Sequence, residues 1–175
     1  MSENPTVTQS RGVILGLLFG IFLAALGIDF VFHAGLLAHF YLNAGPSLLS
    51  RQLLFRRIPF GYASILLTLA FELWLMRRFG VLGARAGTRF GAVFGGVMGV
   101  AGSLGLFSVV PFGASFLVGI AVCQLVEYTL AGALLGSGLE SKRVLRVIVI
   151  GSVVFIIGVA AGLAMQATGF APSQS

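Results

Sequence analysis

The sequence predicts an all-α fold, a polytopic bundle of about five transmembrane helices. Three observations predict it. Hydrophobic residues make up 58% of the 175-residue chain and charged residues only 9%, against roughly 25% charged in an ordinary soluble domain. The apolar residues fall into five runs, each near the ~20 residues that cross a bilayer core. The basic residues collect between those runs, where the loops of membrane proteins carry them. The same figures exclude a soluble globular domain and a disordered chain, because so few charges cannot cover a surface. They exclude a disulfide scaffold as well, since the one cysteine, Cys123, sits inside an apolar run. The net charge of +6 does not point to nucleic acid, because no basic stripe with interleaved aromatics lies outside the runs.

Each element follows in order. Met1 to Ser10 is short and polar. The first span is expected over 12–37, running on toward Tyr41. It is longer than a signal-peptide core and opens on a single arginine, Arg11, so it reads as an uncleaved anchor. The connection that follows places Leu48, Leu49, Leu53, Leu54 and Phe55 after Pro46, interleaved with Arg51, Arg56 and Arg57. That pattern suits a short interfacial helix. The second span is expected over 58–76 and the third over 90–110. Pro111-Phe112-Gly113 then makes a tight turn, so the fourth span, 112–135, must return antiparallel beside the third. The fifth is expected over 144–165. Backbone groups in lipid must be satisfied within the segment, so all five are helices. The chain reads as a single integral membrane domain, 1–175, with no soluble module.

Basic residues fix the expected orientation. Arg11, then Arg77, Arg78, Arg85 and Arg89, then Lys142, Arg143 and Arg146 fall on one side; Arg51, Arg56 and Arg57 fall on the other. The excess puts the N-terminus in the cytoplasm and the C-terminus outside. The expected location is a cell membrane, the inner membrane if the source is bacterial.

Small residues mark packing faces. Gly91, Gly95, Gly99 and Gly102 recur at steps of four and three on the third span. The first span does the same with Gly12, Gly16, Gly20 and Ala24, and the later spans carry Gly132/Gly136 and Gly158/Gly162. Such stripes let helix backbones approach closely. Packing within one bundle is the plainer use; a homodimer seam on the third span is the sharper one.

Three acids fall within the spans: Asp29, Glu72 and Glu127. A charge near the bilayer centre costs about 2.5–3.5 kcal/mol on insertion scales, so these groups should face the bundle or a wet cavity. Asp29 and His33 are one turn apart and form a candidate proton or cation relay. Arg51, Arg56 or Arg57 could reach Asp29 as counter-ions. Gly61, Ser64, Thr68 and Glu72 form a small-polar stripe on the second span. Cys123, Gln124 and Glu127 cluster within a turn of the fourth, with Tyr128 beside them. At ~1.5 Å per residue, Glu72 and Glu127 should lie level, about 21–23 Å in from the outer face, while Asp29 lies in the outer third. Two level carboxyls can share a proton. The competing structural roles are a salt-bridged anchor for Asp29, pairing of Glu72 with Arg77 or Arg78, and interhelical hydrogen bonding for Gln124 and Glu127.

Other chemistry lacks its residues. His33 and His39 are six apart, which is not a same-face spacing, so no metal site is expected. No haem, phosphate loop or nucleophile motif is present, so neither a cofactor nor an enzyme activity is expected.

The strings DFVFHAGLLAHFY (29–41), FRRIPFGY (55–62) and LVEYTLAGALLG (125–136) resemble a group of uncharacterised small bacterial inner-membrane proteins. That resemblance implies four or five spans, an acid in the first and another in a later Gly/Ala-rich span, and carries no activity with it. Two functional readings follow. One is a bundle that translocates protons or a small solute through an acidic core. The other is a non-catalytic accessory subunit of a larger membrane complex. The lipid bilayer is the expected partner in both, with a homodimer or a larger assembly beside it.

Overall fold

The structure, a computed structural model, describes residues 9–43, 51–141 and 143–172. It is all-α, with no strand among the described residues. Helix α1 (Arg11–Val31) runs into a π-helical turn (Phe32–Leu36) and a short α2 (Ala38–Asn43). Then follow α3 (Arg51–Arg78), α4 (Ala84–Val109), α5 (Ala114–Ser141) and α6 (Val144–Ala167). Five helices, α1 with its π turn and α3 to α6, are long and apolar enough to cross a membrane.

The helix ends follow from local chemistry. Ser10 caps α1, its hydroxyl accepting from the Val13 amide. At the end of α3 the Val81 amide donates to the Met76 carbonyl and the Gly80 amide to that of Arg77. This double closure needs a left-handed residue, and Gly80 supplies it with φ of 65°. Arg77 and Arg78 fill the last turn of α3, where cations offset the negative helix end. Between α4 and α5, Val110 is extended ahead of Pro111, and the Phe112 amide turns back onto the Val110 carbonyl. The tight turn expected from Pro111-Phe112-Gly113 is there, and α5 returns antiparallel along α4.

Two expectations about the elements need correction. The amphipathic stretch before the second span is not a separate interfacial helix where it is described. From Arg51 on it is the first part of α3, continuous through Pro59. Proline inside a helix removes one backbone donor without ending the helix when the flanking turns hold. Pro46, Leu48 and Leu49 lie outside the described residues. The second correction concerns length. Helix α4 begins at Ala84, well before Phe90, and α5 continues past Leu135 to Ser141. Polar and basic residues at these ends remain helical because no proline or left-handed glycine lies between Ala84 and Phe90 or between Leu135 and Ser141.

Glycine decides the packing. Along α4, a side chain at Gly87, Gly91, Gly95 or Gly99 would run into backbone of α5 at Gly132, Tyr128, Gln124 and Ala121 in turn. The Gly83 amide also donates to the Gly136 carbonyl at 2.9 Å. The expected stripe of Gly91, Gly95 and Gly99 is therefore spent on α5 and is closed to a second copy of the chain. Gly102 is not part of it, since a side chain there would meet open space. The seam keeps strict steps of four, so it extends back to Gly87 instead. A second seam joins α1 to α6, with Gly20 against Gly151 and Gly27 against Gly158. Contacting residue numbers rise together, so these two helices are parallel. Gly12 meets nothing and lies off this seam.

Helix α1 also packs on α3 and α5, which gives it a central place in the bundle. The main apolar core forms where the N-terminal half of α1 meets the C-terminal halves of α3 and α5. Leu17, Ile21, Leu69, Met76 and Leu135 are fully buried there. A smaller cluster of Leu37, Phe116 and Leu117 closes the opposite end. The polar residues lie between the two clusters.

Candidate functional site: a polar cavity between α1, α3 and α5

A cavity of about 240 Å³ opens between the two apolar clusters. Asp29 and His33 line it from α1 and the π turn, Ser64 and Thr68 from α3. Cys123, Gln124, Glu127 and Tyr128 line it from α5, and Met98 from α4. Of the relay and pocket candidates read from the sequence, Asp29, His33, Ser64, Thr68, Cys123, Gln124 and Glu127 are present and Glu72 is not.

Register explains why Asp29 meets Glu127. Leu37 packs over Gly119. Both acids lie eight residues further in from that contact, about 12 Å along their helices. Leu17 packs over Gly138 at the other end and keeps the same register. The sequence reading placed Asp29 much nearer the outer face than Glu127. It measured depth from the ends of apolar runs, whereas α5 runs past its apolar stretch, so run ends do not mark equal levels.

Asp29 and His33 meet as their spacing predicts, Nε2 to Oδ1 at 3.3 Å. His33 Nδ1 meets the Tyr41 hydroxyl. A phenol donates, so Nδ1 accepts and the Nε2 proton faces Asp29. Burial, reinforced by Asp29, holds the Tyr41 phenol well above its usual value, which keeps it a donor. The result is a directed chain, Tyr41 to His33 to Asp29. Tyr41 packs edge-on against Phe116, with ring centroids 5.3 Å apart. The sequence flagged Tyr41 only as the far end of a long span. Its link to His33 depends on the π turn, which periodicity does not announce.

The π turn is braced from α6. The Gln166 side chain donates to the Ala34 carbonyl at 3.0 Å, and Met165 lies directly over Gly35. His39 Nε2 donates to the Phe170 carbonyl at 2.9 Å just beyond. His39 therefore ties α2 to the C-terminal turn and does not reach the cavity.

Glu127 is 4% exposed, and its Oε1 has no hydrogen-bond partner. Gln124 Oε1 is likewise unpartnered. Thr68 donates to the Ser64 carbonyl at 2.9 Å, so its proton is already used. Among the described residues no three His, Cys, Asp or Glu side chains converge closely enough to hold a metal ion.

Glu72 is elsewhere. It is fully buried, with both carboxyl oxygens unpartnered, and Oε1 lies close over Gly91 of α4. It lies near the level of Tyr128 but does not line the cavity. The sharing of a proton between Glu72 and Glu127 thus gives way to a pairing of Glu127 with Asp29 across one space. Nor is Glu72 paired with Arg77, whose buried Nε has no partner. Asp29 with His33 is the one acid–base side-chain pair within 4 Å among the described residues. No family model, curated protein or solved structure matches this chain.

Proposed function

We propose that the protein is an integral membrane protein that moves protons, alone or coupled to a small solute, through the cavity between α1, α3 and α5. The observation that carries this reading is the convergence of Asp29, His33, Ser64, Thr68, Cys123, Gln124 and Glu127 on one space inside the bundle. Ionisable groups are costly in lipid and mark ion or proton pathways when they gather. The Tyr41–His33–Asp29 chain supplies a relay at one end of the space, and Glu127 supplies a carboxyl deep within it. In the proposed topology the N-terminus is cytoplasmic, the C-terminus is outside and the membrane is a bacterial inner membrane. The eight basic residues on the N-terminal side support that orientation.

The test is proton flux in proteoliposomes. Wild type should dissipate an imposed pH gradient faster than empty liposomes. Glu127→Gln should cut the excess by at least tenfold while helix content and elution volume stay the same. Equal flux through wild type and Glu127→Gln would remove the reading. An accessory role is the second reading. It is favoured by α3, which turns Phe60, Leu67 and Trp74 away from the bundle. An intact-complex mass from the native membrane that includes a different protein would support it.

A further inference from the structure

We infer that the cavity takes a small monovalent organic cation, an alkylammonium, held by Glu127 in exchange for a proton. The inference rests on the proposed transport reading and names its solute.

Charge gives the sign. Two carboxyls, Asp29 and Glu127, line the cavity, and among the described residues no lysine or arginine does. Asp29 already accepts the His33 Nε2 proton. Glu127 is the carboxyl left without a donor at Oε1, and a cationic donor would serve it. Among the described lining residues an anion would meet two carboxyls and no lysine or arginine.

Hydrogen bonding gives the chemistry. The unpartnered buried atoms of cavity-lining residues are both acceptors, Glu127 Oε1 and Gln124 Oε1. Thr68, Tyr41 and His33 already donate to Ser64, His33 and Asp29. A guest that brings donors would serve both open acceptors, and an ammonium brings three. The apolar walls at Ile65, Met98 and Ile120 suit an alkyl tail. The volume of about 240 Å³ equals roughly eight waters at ~30 Å³ each, which limits the guest to a few carbons.

Proton exchange follows from the single site. A protonated Glu127 carboxyl gives up its proton as the ammonium binds to the carboxylate, and takes one back when the ammonium leaves. The groups facing Glu127 are Asp29 and His33 from α1 and its π turn, and Cys123 and Tyr128 from its own helix; the α3 and α4 linings carry no charged group. Asp29 and His33 are thus the titratable groups that face it from another helix. Ser64, at the exposed rim of the cavity, marks the entry.

The experiment is titration calorimetry of the full chain in detergent with ethylammonium chloride, run in two buffers of different ionisation enthalpy. Saturable binding with proton release is expected. Glu127→Gln should weaken it at least tenfold. Ser64→Leu, which fills the rim and leaves both acids in place, should weaken it similarly and covers the case of a misfolded Glu127→Gln. No binding of ethyl- to butylammonium overturns the inference. So does equal binding by Glu127→Gln, or binding of propionate in place of the cation. Proton flux separates the two proposals. Flux that depends on Glu127 without ethylammonium binding leaves the transport reading standing and this one refuted. Ethylammonium binding without flux does the reverse.

Discussion

Glu72 and Glu127 separate two ways of burying a carboxyl. Glu127 borders a space that a proton, water or guest can enter. Glu72 is sealed, with neither oxygen partnered. A buried polar group without partners is a net cost to the fold. Glu72→Met should therefore raise stability by about 1–3 kcal/mol, seen as a higher unfolding midpoint in detergent, and leave proton flux unchanged. A fall in flux would instead make Glu72 a second proton station. Tyr41→Phe should leave the fold intact and slow flux several-fold, because His33 then loses the donor that fixes its tautomer; flux and the His33 ring signals in nuclear magnetic resonance would check this. At this scale the sequence was informative. An acid inside an apolar run needs a reason, and the three acids with their polar neighbours were legible from composition alone. Which acid faced the cavity was not, because that depends on register between helices.

The glycine seams belong to the scale of the element. Gly91→Ala should destabilise the protein by about 1–3 kcal/mol, since the new methyl would push against the Tyr128 backbone carbonyl and the buried Glu72 carboxyl. Gly102→Ala meets open space and should be neutral or gain up to about 1 kcal/mol from helix propensity. Thermal unfolding of the pair would check both. Because the stripe on α4 is internal, a bulky change at Gly95 or Gly99 disrupts the bundle under either functional reading and does not discriminate between them. The seams were half legible. Small residues at steps of four announce a close approach, but 25 glycines offer many pairings, and spacing alone does not say which helix answers which. The π turn was not legible. It holds an extra residue in one turn, so His33 and Tyr41 are brought to one side of the chain. At ~100° per residue an unbroken α-helix would leave them about 80° apart.

For the molecule as a whole, the five spans and their antiparallel turn were legible because length and hydropathy set them. The levels of the side chains within the bilayer were not. The proposed orientation predicts that a C-terminal alkaline phosphatase fusion is active and a C-terminal green fluorescent protein fusion is dark; the opposite pattern would reverse the topology. The two glycine seams also have a mechanical consequence. Backbone against backbone is stiff, so α1 with α6 and α4 with α5 behave as two beams. Between the beams the contact is made by side chains such as Leu17 over Gly138 and Leu37 over Gly119, which can slide. The cavity lies along that fault line, with α3 leaning across it. Tilting one beam against the other would close the cavity at one end and open it at the other, without unzipping either seam. A short thiol cross-link between Leu37→Cys and Gly119→Cys should lock the beams and stop flux, while a cross-link along α4 and α5 should leave it running.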